Sequence, residues 1–305
     1  MAPPSVDRGA AAAAAVSEVQ RRWGLHSLAR PAQLGLPSAG AARRPDDAPA
    51  GRHLPWWPGR TAGPRPRLVE LVAPVSSGGL SLALLWVAAS TGDGLVAVVD
   101  PPAEPGHARL GRFYPPAAAV CGLDPGALVV VFPPRLTDVL LAATVLARSE
   151  GFAAVLFRLP ETAARRLPTA AVGRLALLAA RAGTTLLGLV QEEDPPVRQG
   201  HASAVGRDPL AAFGDYRLRV VETEWLWADH ELVGVRVRVR TEKARHAVDA
   251  DEHDLILRLH RRGRDGHAQD RLRLDTVVLP GRRPAADAGA GWPAAGAPPG
   301  RVAGA

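Results

Sequence analysis

The sequence predicts an α/β fold, with a mostly parallel central sheet flanked by helices and antiparallel strands appended towards its C-terminal side. Three observations predict it. Apolar runs without polar alternation, such as LVAVV at 95–99, LVVVF at 128–132 and AAVLF at 153–157, read as strands buried on both faces. Helical stretches separate these runs, the order expected of strand–helix–strand units. After residue 215 the pattern changes to longer strands, with a turn at Asp229-His230.

The elements follow in order. Ala10 to Arg30 reads as a helix through Trp23, then a short apolar turn at Leu25, Leu28 and Ala29. Residues 31–67, rich in Pro, Gly, Ala and Arg around the island His53-Leu54-Pro55-Trp56-Trp57, read as a linker that docks locally. The core is expected over 68–279. Its strands are Leu68–Val72, Leu95–Asp100, Leu128–Phe132, Ala153–Phe157 and Thr184–Val190. Its helices are Leu80–Ser90, an amphipathic Leu136–Ser149, and Ala170–Ala182. Tyr216–Trp227, Glu231–Arg240, Leu255–Leu259 and Leu272–Leu279 are the later strands. Trp225 and Trp227 share one strand face and are expected to pack into the core. Residues 280–305 are expected to be disordered.

Composition sets bounds. The 305 residues are 47% apolar, enough for a globular core. A net charge of +7 favours an acidic partner, either nucleic acid or an acidic protein face. Nearly all of that basic charge is Arg, because Lys243 is the only lysine, so part of it reflects compositional bias. Cys121 is the only cysteine, which excludes an intrachain disulfide and a Cys-based zinc site and fits a reducing cytoplasm. The nine His show no metal-ligand spacing. Leu80–Ala89, the longest apolar stretch, is too short to span a bilayer, and the Ala run at 10–15 lacks the basic flank of a signal peptide.

The most informative motif is LVELVAPVSSGGLS at Leu68–Ser81. Strand, small-residue loop and apolar helix form the context of a phosphate-binding G-x-x-x-x-G-K-[ST] loop. In that pattern the first Gly is Ala73, the Lys is Gly79 and the Ser/Thr is Leu80. Without the Lys no point charge reaches the β- and γ-phosphates, and without the hydroxyl Mg²⁺ loses a ligand. Ser76, Ser77, Gly78 and Gly79 retain backbone N–H groups at a helix N-terminus, a vestigial anion loop. The competing reading is a small-residue turn kept for close strand–helix packing. Pro74 also removes one donor.

Three further segments join this loop in a resemblance to the bacterial RecA recombinase family, over roughly residues 12–260. Val16–Leu28, ending in Trp23-Gly24-Leu25, resembles the family's N-terminal helix. Phe113-Tyr114-Pro115-Pro116 and Ala117–Asp124, leading into LVVVF, resemble its segment before Leu-Gly-Val-Asp. Glu231–Gly234, Val235–Thr241 and then Lys243-Ala244-Arg245 resemble its late hairpin. The departures fall on chemistry. Pro102 stands two residues after Asp100, where the family has its water-orienting glutamate, and Arg158 stands at the Walker B aspartate. This degenerate pattern looks like the ImuA family, also described as SulA-like, of the bacterial mutagenic-repair cassette.

The resemblance implies a RecA-like core without ATPase activity or a bound cofactor. It implies a cytoplasmic role in the SOS response and translesion synthesis, with RecA or a Y-family-like polymerase subunit as partners. Trp23 and Leu28 become candidates for docking on RecA, against packing within the chain. Lys243 and Arg245 fall where the family reaches a neighbouring subunit's nucleotide, against a solvated strand end. Arg198, His201 and Arg207 fall in the family's second DNA-binding loop, where Glu192, Glu193 and Asp194 oppose phosphate contact. Glu104 is a candidate to replace the lost glutamate, against a solvated loop among Pro101, Pro102 and Pro105. The alternatives are a divergent DNA-dependent ATPase using Glu104 and Lys243, and a basic DNA-binding protein without hydrolysis.

Overall fold

The computed structural model describes residues 7–24, 27–29, 67–91, 94–102, 110–192, 208–245, 252–262 and 271–279. Residues 31–66 of the linker expected over 31–67, the tail over 280–305, and Glu104, Arg198, His201 and Arg207 lie outside the described residues.

Among the described residues the parallel part of the sheet comprises β2 (Leu68–Pro74), β3 (Val96–Val99), β4 (Leu128–Val131), β5 (Ala154–Pro160) and β6 (Thr185–Glu192). Each lies where a mostly apolar run predicts a strand. All but the last residue of β2 are buried, because helices cover both faces. The antiparallel part comprises β7 (Tyr216–Ala228), β8 (Glu231–Ala244), β9 (Glu252–Arg262) and β10 (Arg271–Leu279). With β1 (Leu28–Ala29) the spatial order is β1-β4-β3-β5-β6-β2-β7-β8-β9-β10. β7 joins β2 in parallel and β8 in antiparallel, so it is where the sheet changes character.

The helices are α1 (Arg8–Trp23), α2 (Gly79–Thr91), α3 (Pro115–Val120), α4 (Val139–Ala147), α5 (Glu161–Ala164), α6 (Thr169–Ala182) and α7 (Pro209–Phe213). One apolar cluster joins α2 and α3 to the sheet and continues into β8 and β9. The second, on the other face, joins α1, α4, α6 and α7. The short α3, α5 and α7 span six, four and five residues. They are too brief to carry a helical period, and the sequence reading did not anticipate them.

Two elements differ from expectation in a way that has a physical reason. Leu28-Ala29 is a strand, not a turn, pairing antiparallel with Val131 and Val130 of β4. It covers the backbone of a strand that otherwise ends the sheet. The helix expected over Leu136–Ser149 is α4 alone, entered through a 3₁₀ turn at Leu136–Asp138. α4 is apolar nearly all round rather than amphipathic, because the sheet, α1 and α6 enclose it.

α1 begins where the Asp7 carboxylate accepts from the Gly9 and Ala10 N–H groups, and ends at Gly24 with φ 85°. It buries Ala12, Ala15, Val16 and Val19 within its own chain. Contact is closest at Gly151, where an added Cβ would lie 2.3 Å from the Ala12 nitrogen and 2.7 Å from its Cβ.

The β7–β8 hairpin turns at Asp229 (φ 48°) and His230 (φ 67°), the left-handed pair of a two-residue hairpin loop. Trp225 and Trp227 do not pack into the core: they are 46% and 65% exposed. Burial along β7 stops after Val220, because the outer hairpin runs beyond the covered part of the sheet. Among the described residues no helix is long and apolar enough to cross a membrane.

Candidate functional site

The carboxyl ends of β2, β3, β5 and β6 lie side by side, the place where open α/β sheets bind ligands. β2 runs into the loop Val75–Gly78, and α2 starts at Gly79. Ser76 has φ 65° and Gly78 φ 80°, so the loop curls tightly. Two of its amides already donate within the chain: Val75 N–H to the Glu192 carbonyl at 2.9 Å, and Ser77 N–H to the Pro74 carbonyl at 3.2 Å. The Thr223 hydroxyl donates to the Ser77 carbonyl at 3.1 Å. A Cβ on Gly78 would touch Val235, Val237 and Leu257, so apolar side chains of β8 and β9 lie against the loop.

Gly79, at the position of the expected lysine, has a local cause. A Cβ there would stand 2.3 Å from the Ala73 Cβ. The motif's first glycine would leave that space open. With alanine at 73, residue 79 accepts no side chain unless α2 moves off β2.

At the ends of β3 and β5 the charged pair Asp100 and Arg158 is buried, 0% and 1% exposed. Arg158 Nη1 donates to Asp100 Oδ1. Its Nε and Nη2 donate to Gln191 Oε1 at 3.0 and 2.8 Å, and Nη2 also to the Leu110 carbonyl at 2.7 Å. The second Asp100 oxygen accepts from the Phe113 N–H at 2.9 Å. Burial pushes the Asp100 carboxyl up, opposed by Arg158 and by the Phe113 amide. Both carboxylate oxygens accept hydrogen bonds, one from the guanidinium and one from a backbone amide. The arrangement is a buried internal salt bridge. Gln191 is the member that sequence reading missed; it sits at the β6 end, where strand register alone aligns it with β5.

A second ionic cluster joins β2 to β7. Arg217 Nη1 donates to Glu70 Oε2 at 3.2 Å and to Asp208 Oδ2 at 2.9 Å, and Nε donates to Glu242 Oε2 at 2.7 Å. Arg219 bonds the other Glu242 oxygen at 2.6 Å and also reaches Glu192. Glu70 is fully buried, and its Oε1 has no partner. Burial pushes its pKa up to about 8, opposed by Arg217 and reinforced by the neighbouring Asp208 and Glu242 carboxylates. Burial and these carboxylates together favour the protonated form of Glu70. The only sequence signal was one carboxylate inside an otherwise apolar strand.

The remaining candidates separate in space. Trp23 and Leu28 are partly buried and pack on the α1–α4 side of the core, with the Arg22 guanidinium 5.8 Å from the Trp23 ring centroid. Lys243 is not a solvated strand end: its Nζ donates to the Ala211 and Ala212 carbonyls at 2.6 and 3.1 Å, at the C-terminal end of α7. Burial holds its ammonium below the usual lysine range. Arg245 pairs with Asp215 at 2.9 Å. Neither basic group lies among the Arg158 partners. Cys121 is buried, its thiol pushed up to about 12, which leaves it unreactive.

No protein-family model matches the chain. No curated protein matches it either. Among solved structures the chain is similar to the crystal structure of the RadB recombinase, at 19% identity. The match covers 63% of this chain and 87% of that one, with a TM-score of 0.43.

Proposed function

We propose that this chain is a non-enzymatic, RecA-like accessory protein of the SOS response and error-prone translesion synthesis, acting in the cytoplasm by binding RecA, a Y-family-like polymerase subunit, or both. The observation that carries the reading is Arg158. It stands at the strand end where the resemblance expects a metal-binding carboxylate, and its donors are spent on Asp100, Gln191 and Leu110. The Ala73–Gly79 contact supports it, because that packing keeps a lysine out of the loop. Each lost group normally supplies positioning or charge stabilisation worth several kcal/mol of barrier. A chain that fills this space with a salt bridge keeps its frame for what the outer surface binds.

The test is capture of purified RecA and of the polymerase subunit by the tagged full chain, with and without DNA. Retention of at least one is expected; retention of neither overturns the reading. DNA-stimulated ATP hydrolysis abolished by Lys243→Ala would replace it with a divergent ATPase. Steeply salt-dependent DNA binding in place of protein capture would replace it with a DNA-binding protein.

A further inference from the structure

On the face away from the vestigial loop, a groove of about 860 Å³ runs between α4, α5 and α6, with α1 along one side. Its floor is apolar, built from Leu136, Leu140, Leu141, Leu159 and Leu167. Among the described residues its rim carries Arg22, Arg135, Arg148, Arg166 and Arg174 with a single carboxylate, Glu18. Arg148 is matched by Glu18 at 2.6 Å, and Arg135 by Asp138 at 3.0 Å. Arg22, Arg166 and Arg174 are exposed and have no carboxylate partner among the described residues. The groove thus pairs an apolar base with three positive charges that no carboxylate of the described residues matches.

We propose that this groove is the docking site for an acidic amphipathic helix of a partner protein. Charge complementarity selects the occupant, because arginine holds carboxylates through paired N–H donors and a helix can bring several carboxylates to one rim. The length agrees. The Leu136–Ala147 side of the groove extends about 18 Å at 1.5 Å per residue, three turns of a docked helix. Apolar residues at i, i+3, i+4 and i+7 of such a helix would cover the leucine floor. A DNA backbone matches the rim but would bring phosphates against that floor, where they lose water without gaining partners. In naming a protein segment as occupant, the proposal rests on the accessory-protein reading above.

The probe is a fluorescent synthetic helix of about 14 residues, with leucines on one face and glutamates flanking them. Binding to the full chain is read by anisotropy. The comparators are the same peptide with lysine for glutamate and a short DNA duplex. The acidic peptide is expected to bind. Arg166→Glu with Arg174→Glu should weaken it by about tenfold or more and admit the lysine peptide. Arg181→Glu, on the exposed surface outside the groove, should change neither, and an unaltered melting temperature confirms that the variants fold. Failure of the acidic peptide to bind, binding indifferent to the charge of peptide or groove, or displacement by the duplex would each overturn the proposal. Partner capture separates the two readings. If RecA or the polymerase subunit is retained equally by the doubly reversed chain, the groove proposal fails and the accessory reading stands. If the peptide binds as expected and neither protein is captured, the accessory reading fails and the groove stands.

Discussion

Arg158 and Arg217 are both buried guanidiniums joining neighbouring strands, yet their surroundings work in opposite ways. Arg158 meets one carboxylate, Asp100, and fills its remaining donors with the neutral oxygens of Gln191 and Leu110. Arg217 meets three carboxylates, Glu70, Asp208 and Glu242, and the surplus is resolved by a proton on Glu70. The first cluster is balanced, one carboxylate to one guanidinium. The second is acid-rich and therefore sensitive to pH. One buried arginine can close a site, while another leaves its neighbourhood titratable; the difference lies in the count of carboxylates and unfilled oxygens around it.

The sharpest way to break this comparison is Arg158→Ala. It leaves Asp100 buried and unpaired, and the loss expected is about 3–5 kcal/mol, read from the urea midpoint. Replacing both partners with apolar residues, Asp100→Leu with Arg158→Met, should recover most of that loss. A single variant no worse than the double one would show that the pair is not a closed unit.

Glu70→Gln tests the second cluster. Below pH 4.5 both the folded and the unfolded chain hold the Glu70 proton, so this residue's contribution does not change with pH. Between pH 4.5 and about 8 the unfolded chain has lost the proton and the folded chain keeps it, so stability falls as pH rises. Above about 8 the loss levels off. At 1.36 kcal/mol per pKa unit the full span is a few kcal/mol, and Glu70→Gln should flatten this decline in melting temperature across pH 5–9. An unchanged slope would move the proton elsewhere.

A smaller effect is expected at the loop. Gly79→Lys should cost about 1–3 kcal/mol by forcing α2 away from β2, and Ala73→Gly in the same chain should restore most of it. Nucleotide binding is not expected to return in the double variant while Arg158 is present. The smallest effect belongs to Lys243→Ala, about 1 kcal/mol from loss of the α7 carbonyl cap, measured by thermal melting.

The sheet was legible because strands buried on both faces leave uninterrupted apolar runs, and LVVVF and AAVLF have no other reading of that length. The hairpin turn was legible in Asp229-His230. The fate of Trp225 and Trp227 was not. Strand alternation says which side chains share a face, but not how far the covering layer extends along it. Arg158 was visible in the sequence as a charged residue following the apolar run AAVLF. Its partners were not, because Asp100 lies 58 residues before it and Gln191 33 residues after it, and only strand register brings them together. Glu70 hid in LVELV, and its counter-charge is 147 residues away.

The contact between Gly151 and Ala12 has a further consequence. At that point α1 meets the chain backbone to backbone, beside the buried Val16 and Val19. Such a joint has no intermediate position: one methyl group at residue 151 is a wedge that prises the helix from its seat. Gly151 is thus a handle by which the N-terminal segment can be released while the sheet beneath it is left standing.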